Sequence, residues 1–293
     1  MKIVPRTMAG IQSGAQSLRG GANRLMHRLR GSATARDRSK LNSLAGEVAL
    51  RTFEPDVIRG YQEEIFRNSL QLSRTFQGPN FNRVGRDDLV RMVKQYDERF
   101  FGGKVLPLAK AEGLDFSISS RMTKVAGKLV THYENGTAEG RRRFEMVLSS
   151  TLLFQTFEDS GQAVEVTGRL CRNRLEAMQR VVEHEFVHLV EMLIWNDGNC
   201  NESRFQSIAK RYFAHTDYRH SLITQRERAA MRFNVRLGDQ VRFKHEGRFI
   251  SGRVNRITRR ATVLVPSDRG QLFCDGKRYQ RFYVPLEKLK KVG

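Results

Sequence analysis

The sequence predicts an α+β chain in which a helix-rich middle with a few short strands is followed by a small all-β barrel. Three observations carry this. Apolar residues recur at helical spacing from Leu41 to Phe100 and again from Gly168 to Phe213. Three short, partly alternating runs lie between those stretches. The last sixty residues change character: Gly238, Gly247, Gly252, Gly270 and Gly276 punctuate short β-rich runs, the signature of a small barrel.

The first forty residues are rich in Gly, Ser, Ala and Arg and have little to bury, so 1–40 is expected to be a disordered basic arm. The same composition fits an organelle transit peptide, which composition does not separate from an arm. Residues 41–85 read as a helical N-terminal extension, with Pro55 as a first-turn proline and Gly78-Pro79-Asn80 as a break. A helix is expected from Arg86 to Phe100, with an apolar stripe of Val90, Met92, Val93, Tyr96 and Phe100, stopped by Gly102-Gly103. Strands are expected at Leu114–Ser119, Lys128–Tyr133 and Phe144–Ser149, with Asn135-Gly136 as a turn. Arg141-Arg142-Arg143 reads as a solvated turn. One long helix is expected from Gly168 to Trp195, another from Ser203 to Phe213, and barrel strands at Gln240–Phe243, Arg259–Val265 and Tyr279–Pro285. The boundary between the middle, 86–225, and the barrel, 232–293, is expected near Thr224–Arg232.

Composition narrows the class of function. The chain has 293 residues, a hydrophobic fraction of 39%, which suffices for a packed core, and six prolines, too few for a Pro-rich disordered protein. No apolar stretch approaches a membrane span, so no membrane partner is expected. Three scattered cysteines exclude a disulfide scaffold and point to a reducing compartment, and the absence of Cys-x-x-Cys excludes a cysteine zinc ribbon. A net charge of +21 implies a polyanionic partner, DNA or RNA. Residues 1–36 hold seven basic residues and no acid, and residues 231–293 hold 16 basic against 5 acidic, so the ends carry the charge and the middle is nearly balanced.

The chemistry lies in that middle. His184-Glu185-Phe186-Val187-His188 is an HExxH. On a helix, positions i and i+4 share a face, so both imidazoles reach one metal. Neutral imidazole suits Zn²⁺, and Glu185 beside the pair is placed to act as general base of a peptide hydrolase. The surrounding Val181, Val182, Phe186, Val187 and Leu189 put the motif inside a long helix rather than on a polar surface.

With these residues the middle of the chain resembles the SprT-like zinc metalloproteases. The resemblance runs in order through Tyr96–Lys104, Phe116–Arg121 with Ala126-Gly127-Lys128, Phe144–Ser149 and His184–His188, and covers roughly 85–220. It implies a zincin-like fold, in which the HExxH helix packs on a small mixed sheet whose edge strand, expected at Phe144–Ser149, holds extended substrate by strand addition. It also implies action on DNA-bound or DNA-crosslinked proteins.

Two departures stand out. The family's third ligand is a His opening the next helix; the matching position here is Asn201, a poor zinc ligand. Cys200 beside it, and His215 and His220 beyond the following helix, are better ligands by residue type, and the third ligand is open among these three, with Asn201, Glu202 or water behind them. His215 and His220 lie about 16 Å of helical rise away and require the chain to fold back. At the C-terminus the family's Cys-rich ribbon is absent. The order Gly238–Phe243, Gly252–Ile257, Arg259–Val265 resembles SH3-like barrels of the KOW or Tudor type. Arg242, Lys244, Arg253, Arg256, Arg259 and Arg260 are its candidate phosphate contacts. Phe243, Phe249, Phe273, Tyr279, Phe282 and Tyr283 either stack on bases or fill the barrel core.

The expectation is therefore a zinc-dependent endopeptidase recruited to nucleic acid. The alternative is a non-catalytic nucleic-acid-binding protein on a degenerate zincin scaffold. A cytoplasmic monomer is expected, nucleoid-associated if bacterial, with an organelle as the alternative that the basic N-terminus allows.

Overall fold

A computed structural model describes residues 35–134, 142–157, 163–218, 222, 225–258 and 260–292. The arm reading of 1–34, the Asn135-Gly136 turn, His220 and Arg259 lie outside these residues. Ala35–Lys40 are helical and open the first helix, α1 (Ala35–Leu50).

The middle is organised around one helix. α2 (Pro55–Leu72) begins with its proline at the first turn. α3 (Arg86–Phe101) starts at Gly85, whose N–H donates to the Asp88 carboxylate (2.8 Å), and ends at Gly102 with φ 62°. After α4 (Val105–Ala111) come β1 (Asp115–Ser119), β2 (Gly127–Tyr133) and β3 (Arg142–Ser149). The sheet order is β1-β3-β2, with β1 parallel and β2 antiparallel to β3, so Phe144–Ser149 lies in the central strand and not at the expected edge, and the edges are β1 and β2. α5 (Ser150–Thr156) is capped by the Ser149 hydroxyl, which accepts from Leu152 N–H. The hairpin β4 (Val164–Val166) and β5 (Arg169–Cys171) precedes α6 (Arg174–Trp195), and α7 (Ser203–Phe213) follows.

α6 has 18 of its 22 residues buried, which makes it the axle of the core rather than a surface helix. Asn173 caps it by accepting from Glu176 N–H (2.9 Å), and Asn196 at φ 51° closes it. The expected helix from Gly168 is corrected here. Thr167 and Gly168 both take positive φ (54° and 74°) and turn a tight hairpin before the cap at Asn173. A side chain at 168 would meet Thr216 Oγ1 at 1.9 Å, so the glycine also lets the chain after α7 close over the hairpin. Residues 41–85 are not an appendage: Leu44, Val48, Ile58, Ile65 and Phe81 are buried in the same apolar cluster as α3 and α6. Arg142 is not a solvated turn either. It pairs with Glu112 and donates to Met192 O (2.7 Å) and Asn196 Oδ1 (2.6 Å), tying β3 to the end of α6.

A second, separate apolar cluster lies in the C-terminal part. β6 (Gln240–His245), β7 (Arg248–Ile257), β8 (Arg260–Leu272) and β9 (Arg278–Pro285) form an antiparallel meander; a 3₁₀ turn (Leu286–Lys288) leads into β10 (Lys290–Lys291), which pairs back on β6. α8 (Gln225–Phe233) lies across the boundary expected at Thr224–Arg232 and contributes Ala229 to this cluster, so α8 packs with the C-terminal unit. No helix among the described residues is long and apolar enough to cross a membrane.

Candidate metal centre

The i, i+4 spacing on α6 brings His184 Nε2 and His188 Nε2 to 3.2 Å. Two nitrogens bound tetrahedrally at about 2.05 Å stand about 3.3 Å apart, so this separation fits zinc. Cys200 completes the group: the ligand atoms of His184, His188 and Cys200 all lie within 4.8 Å of one another. A relaxed N–Zn–S angle needs about 3.6 Å between N and S, a small adjustment of one side chain. Phe205 of α7 packs on both imidazoles, with ring centroids 4.7 Å and 4.5 Å away, and fixes their planes.

Cys200 sits on a braced loop. The Asn199 carboxamide oxygen accepts from Asn201 N–H (3.0 Å), and Gln206 Nε2 donates to Cys200 O (3.3 Å). Arg204 donates to Glu191 Oε1 (2.7 Å) and Asp197 Oδ2 (3.2 Å) and stacks over Trp195 at 4.9 Å. Glu191 is fully buried on the same α6 face as the two histidines, and burial pushes its carboxyl up to about 7 against the pull of Arg204. Burial raises the Cys200 thiol as well, and the carboxylates of Glu185 and Glu191 push the same way. A metal bound there must displace the thiol proton.

Glu185 turns from the imidazole pair toward β2. It is 3% exposed, burial pushes its carboxyl up to about 8, and the Leu129 N–H of the edge strand, donating to it, pulls the other way. Gly127 makes this approach feasible: a Cβ there would stand 2.7 Å from Val181 Cγ1 and 2.8 Å from Glu185 Oε1.

His215 stands outside the group of His184, His188 and Cys200. It is buried against another face of α6, where its Nε2–H donates to Glu183 Oε2 at 2.8 Å. Burial holds its pKa below the usual value even against Glu183, so the ring is neutral. Burial alone would raise Glu183, yet Arg180 at 2.9 Å and donors from His215, Tyr96 (2.8 Å) and Gln62 (2.9 Å) outweigh it and keep the carboxylate ionised. Asn201 and Glu202 are exposed, and Glu202 stands outside the metal-sized group. Sequence reasoning missed Glu191, Arg204 and the Leu129 N–H. The first was legible as the residue seven after His184, on the same helical face.

In the C-terminal unit, Arg242, Lys244, Arg253, Arg256 and Arg260 are all exposed. In antiparallel register Arg242 faces Ser251, Arg253 faces Leu264 and Arg256 faces Thr262, while Val241, Val254, Val263 and Val284 turn into the core. The five cations therefore project from one side of the sheet. Of the candidate aromatics, Phe243 is buried and Phe282 packs against the core, whereas Phe249 (68%) and Tyr283 (64%) are exposed. Comparisons with family models, with characterised proteins and with solved structures return no match for this chain.

Proposed function

We propose that this chain is a zinc-dependent peptide hydrolase of SprT-like type, carried to nucleic acid by a basic SH3-like barrel, with DNA-bound or DNA-crosslinked proteins as its substrates. The observation that supports it most is one constellation: two helical imidazole nitrogens at 3.2 Å, a thiol within 4.8 Å of both, and a carboxylate on the residue between the histidines. The strand order β10-β6-β7-β8-β9, with a 3₁₀ turn before the last strand, supports the barrel reading.

His184, His188 and Cys200 would hold the ion. Zinc, when bound, supplies a Lewis acid that polarises a peptide carbonyl and acidifies water. The chain's own residues do the rest. The Glu185 carboxylate takes the proton from the attacking water and returns it to the leaving amine nitrogen. Phe205 and the buried walls of α6 exclude bulk water from the imidazoles. β2 is an edge strand, and an extended substrate would pair with its backbone beyond Leu129, whose N–H already donates to Glu185.

The test is Glu185→Gln, which keeps shape and removes the base. Cleavage of a DNA-binding protein should fall at least about 10²-fold while zinc content is unchanged. A second reading, a non-catalytic scaffold, draws support from the burial of Glu185 against Leu129. Equal degradation by wild type and Glu185→Gln would favour it.

A further inference from the structure

We infer that the outward face of the β6–β9 meander is a stacking platform for single-stranded polynucleotide, with Tyr279, Arg281 and Tyr283 as its planes. This rests on the reading of the barrel as the nucleic-acid-binding part and commits it to strands whose bases are unpaired.

Register decides which side chains face outward. On β9, Phe282 and Val284 pack with the core, so Tyr279, Arg281 and Tyr283 point the other way. Arg281 stands opposite Leu264, which stands opposite Arg253; Tyr283 stands opposite Thr262, which stands opposite Arg256. Leu264 is 2% exposed yet lies outside the barrel's apolar cluster, as expected of a residue covered by the stems of two flanking arginines. Among the described residues of these four strands, the outward positions carry the cations and aromatics against a single carboxylate, Asp268, which lies in the stretch of β8 that skips its partner.

The planes are prearranged. The Arg281 guanidinium lies 5.1 Å over the Phe273 ring, and Phe273 meets Tyr279 edge to face at 5.3 Å. The Tyr279 hydroxyl is tied to Asp275 Oδ2 at 2.9 Å. Opposite Tyr279 the pairing on β8 jumps from Pro266 to Gln271. The slack in β8 opens a groove of about 520 Å³ beside Tyr279, Arg281 and Tyr283. Gly270 permits that crossing, because a Cβ there would stand 2.3–2.7 Å from the Tyr279 backbone. Alternate residues on a strand are about 6.8 Å apart, so the three planes form a ladder along β9. The physical distinction is sharp. Phosphates satisfy the cations in duplex and single strand alike. An aromatic plane rewards only a base that is free to leave its neighbours.

Fluorescence anisotropy of the full chain tests this with three labelled probes of equal length: oligothymidylate, oligouridylate and a DNA duplex. At least one single strand should bind more tightly than the duplex, and which one does names the sugar. Tyr283→Ala, at an exposed position, should leave thermal unfolding unchanged and weaken the preferred single strand by roughly 5- to 100-fold, the worth of one stacked base. The duplex should change less than about twofold. Arg242→Gln should weaken all bound probes and flatten their salt dependence. If the wild type binds all three probes alike and Tyr283→Ala does nothing, or acts equally on all, the platform falls and recruitment through charge stands. If no probe binds at low salt, both fall.

Discussion

A single hydrogen atom at position 127 decides how close the edge strand comes to the Glu185 carboxylate, the proposed general base. Gly127→Ala would push a methyl against Val181 and Glu185, both on the central helix. The expected outcome is a cleavage rate reduced by about 10-fold or more, from displacement of Glu185, with overpacking that costs about 1–3 kcal/mol in urea unfolding. Unchanged cleavage would mean that the strand yields instead of the carboxylate. His215 illustrates the opposite relation between residue type and role. By chemistry it is a good zinc ligand, and in the fold it is a donor to a buried carboxylate. His215→Ala should lower stability by about 2–3 kcal/mol, because Glu183 loses one of its donors, and leave zinc stoichiometry at wild-type level. Loss of zinc from a folded variant would return His215 to the ligand set.

The elements were legible where periodicity and punctuation agreed. α3, the three strands of the small sheet and α7 fall within one or two residues of their expected bounds, because caps such as Gly85 and Gly102 coincide with the ends of the apolar stripes. The hairpin before α6 was missed because Thr167 takes a positive φ that its type does not announce, so the β-turn there read as a continuing helix. The role of Arg142 was hidden for a different reason: its partners Glu112, Met192 and Asn196 are distant in sequence. The start of α3 also gives a pH prediction. Asp88 is buried, which works against its charge, but hydrogen bonds from Thr75, Gly85 and Ser73 and the Arg91 pair hold its pKa below the usual value. A carboxylate with a lowered folded pKa contributes stability above its unfolded pKa and loses it as pH falls through the folded one. Asp88→Asn should therefore cost roughly 1–3 kcal/mol at neutral pH. The difference from wild type should close progressively in acid, as followed by urea titrations across pH.

At the scale of the whole molecule, chemistry and charge are separated along the chain. The HExxH and its thiol lie in a core built from residues 41–222, while the C-terminal cations project from a sheet with its own apolar cluster. The charge count also sets the C-terminal part apart, since residues 231–293 hold 16 basic against 5 acidic residues. Ala229 of α8, inside the boundary stretch expected from the sequence, packs in the second cluster. The residue that joins the two histidines was legible only as a choice among Cys200, His215 and His220, since nothing in the sequence says that α7 carries His215 away while the loop after Asn196 carries Cys200 back. The most direct measurement is zinc K-edge absorption on the full chain reconstituted with one equivalent of metal. Two nitrogen scatterers at about 2.0–2.1 Å and one sulfur at about 2.3 Å are predicted, with the sulfur lost in Cys200→Ala. A bound zinc with no sulfur neighbour, or retention of less than about a tenth of an equivalent after dialysis, would contradict the centre described above.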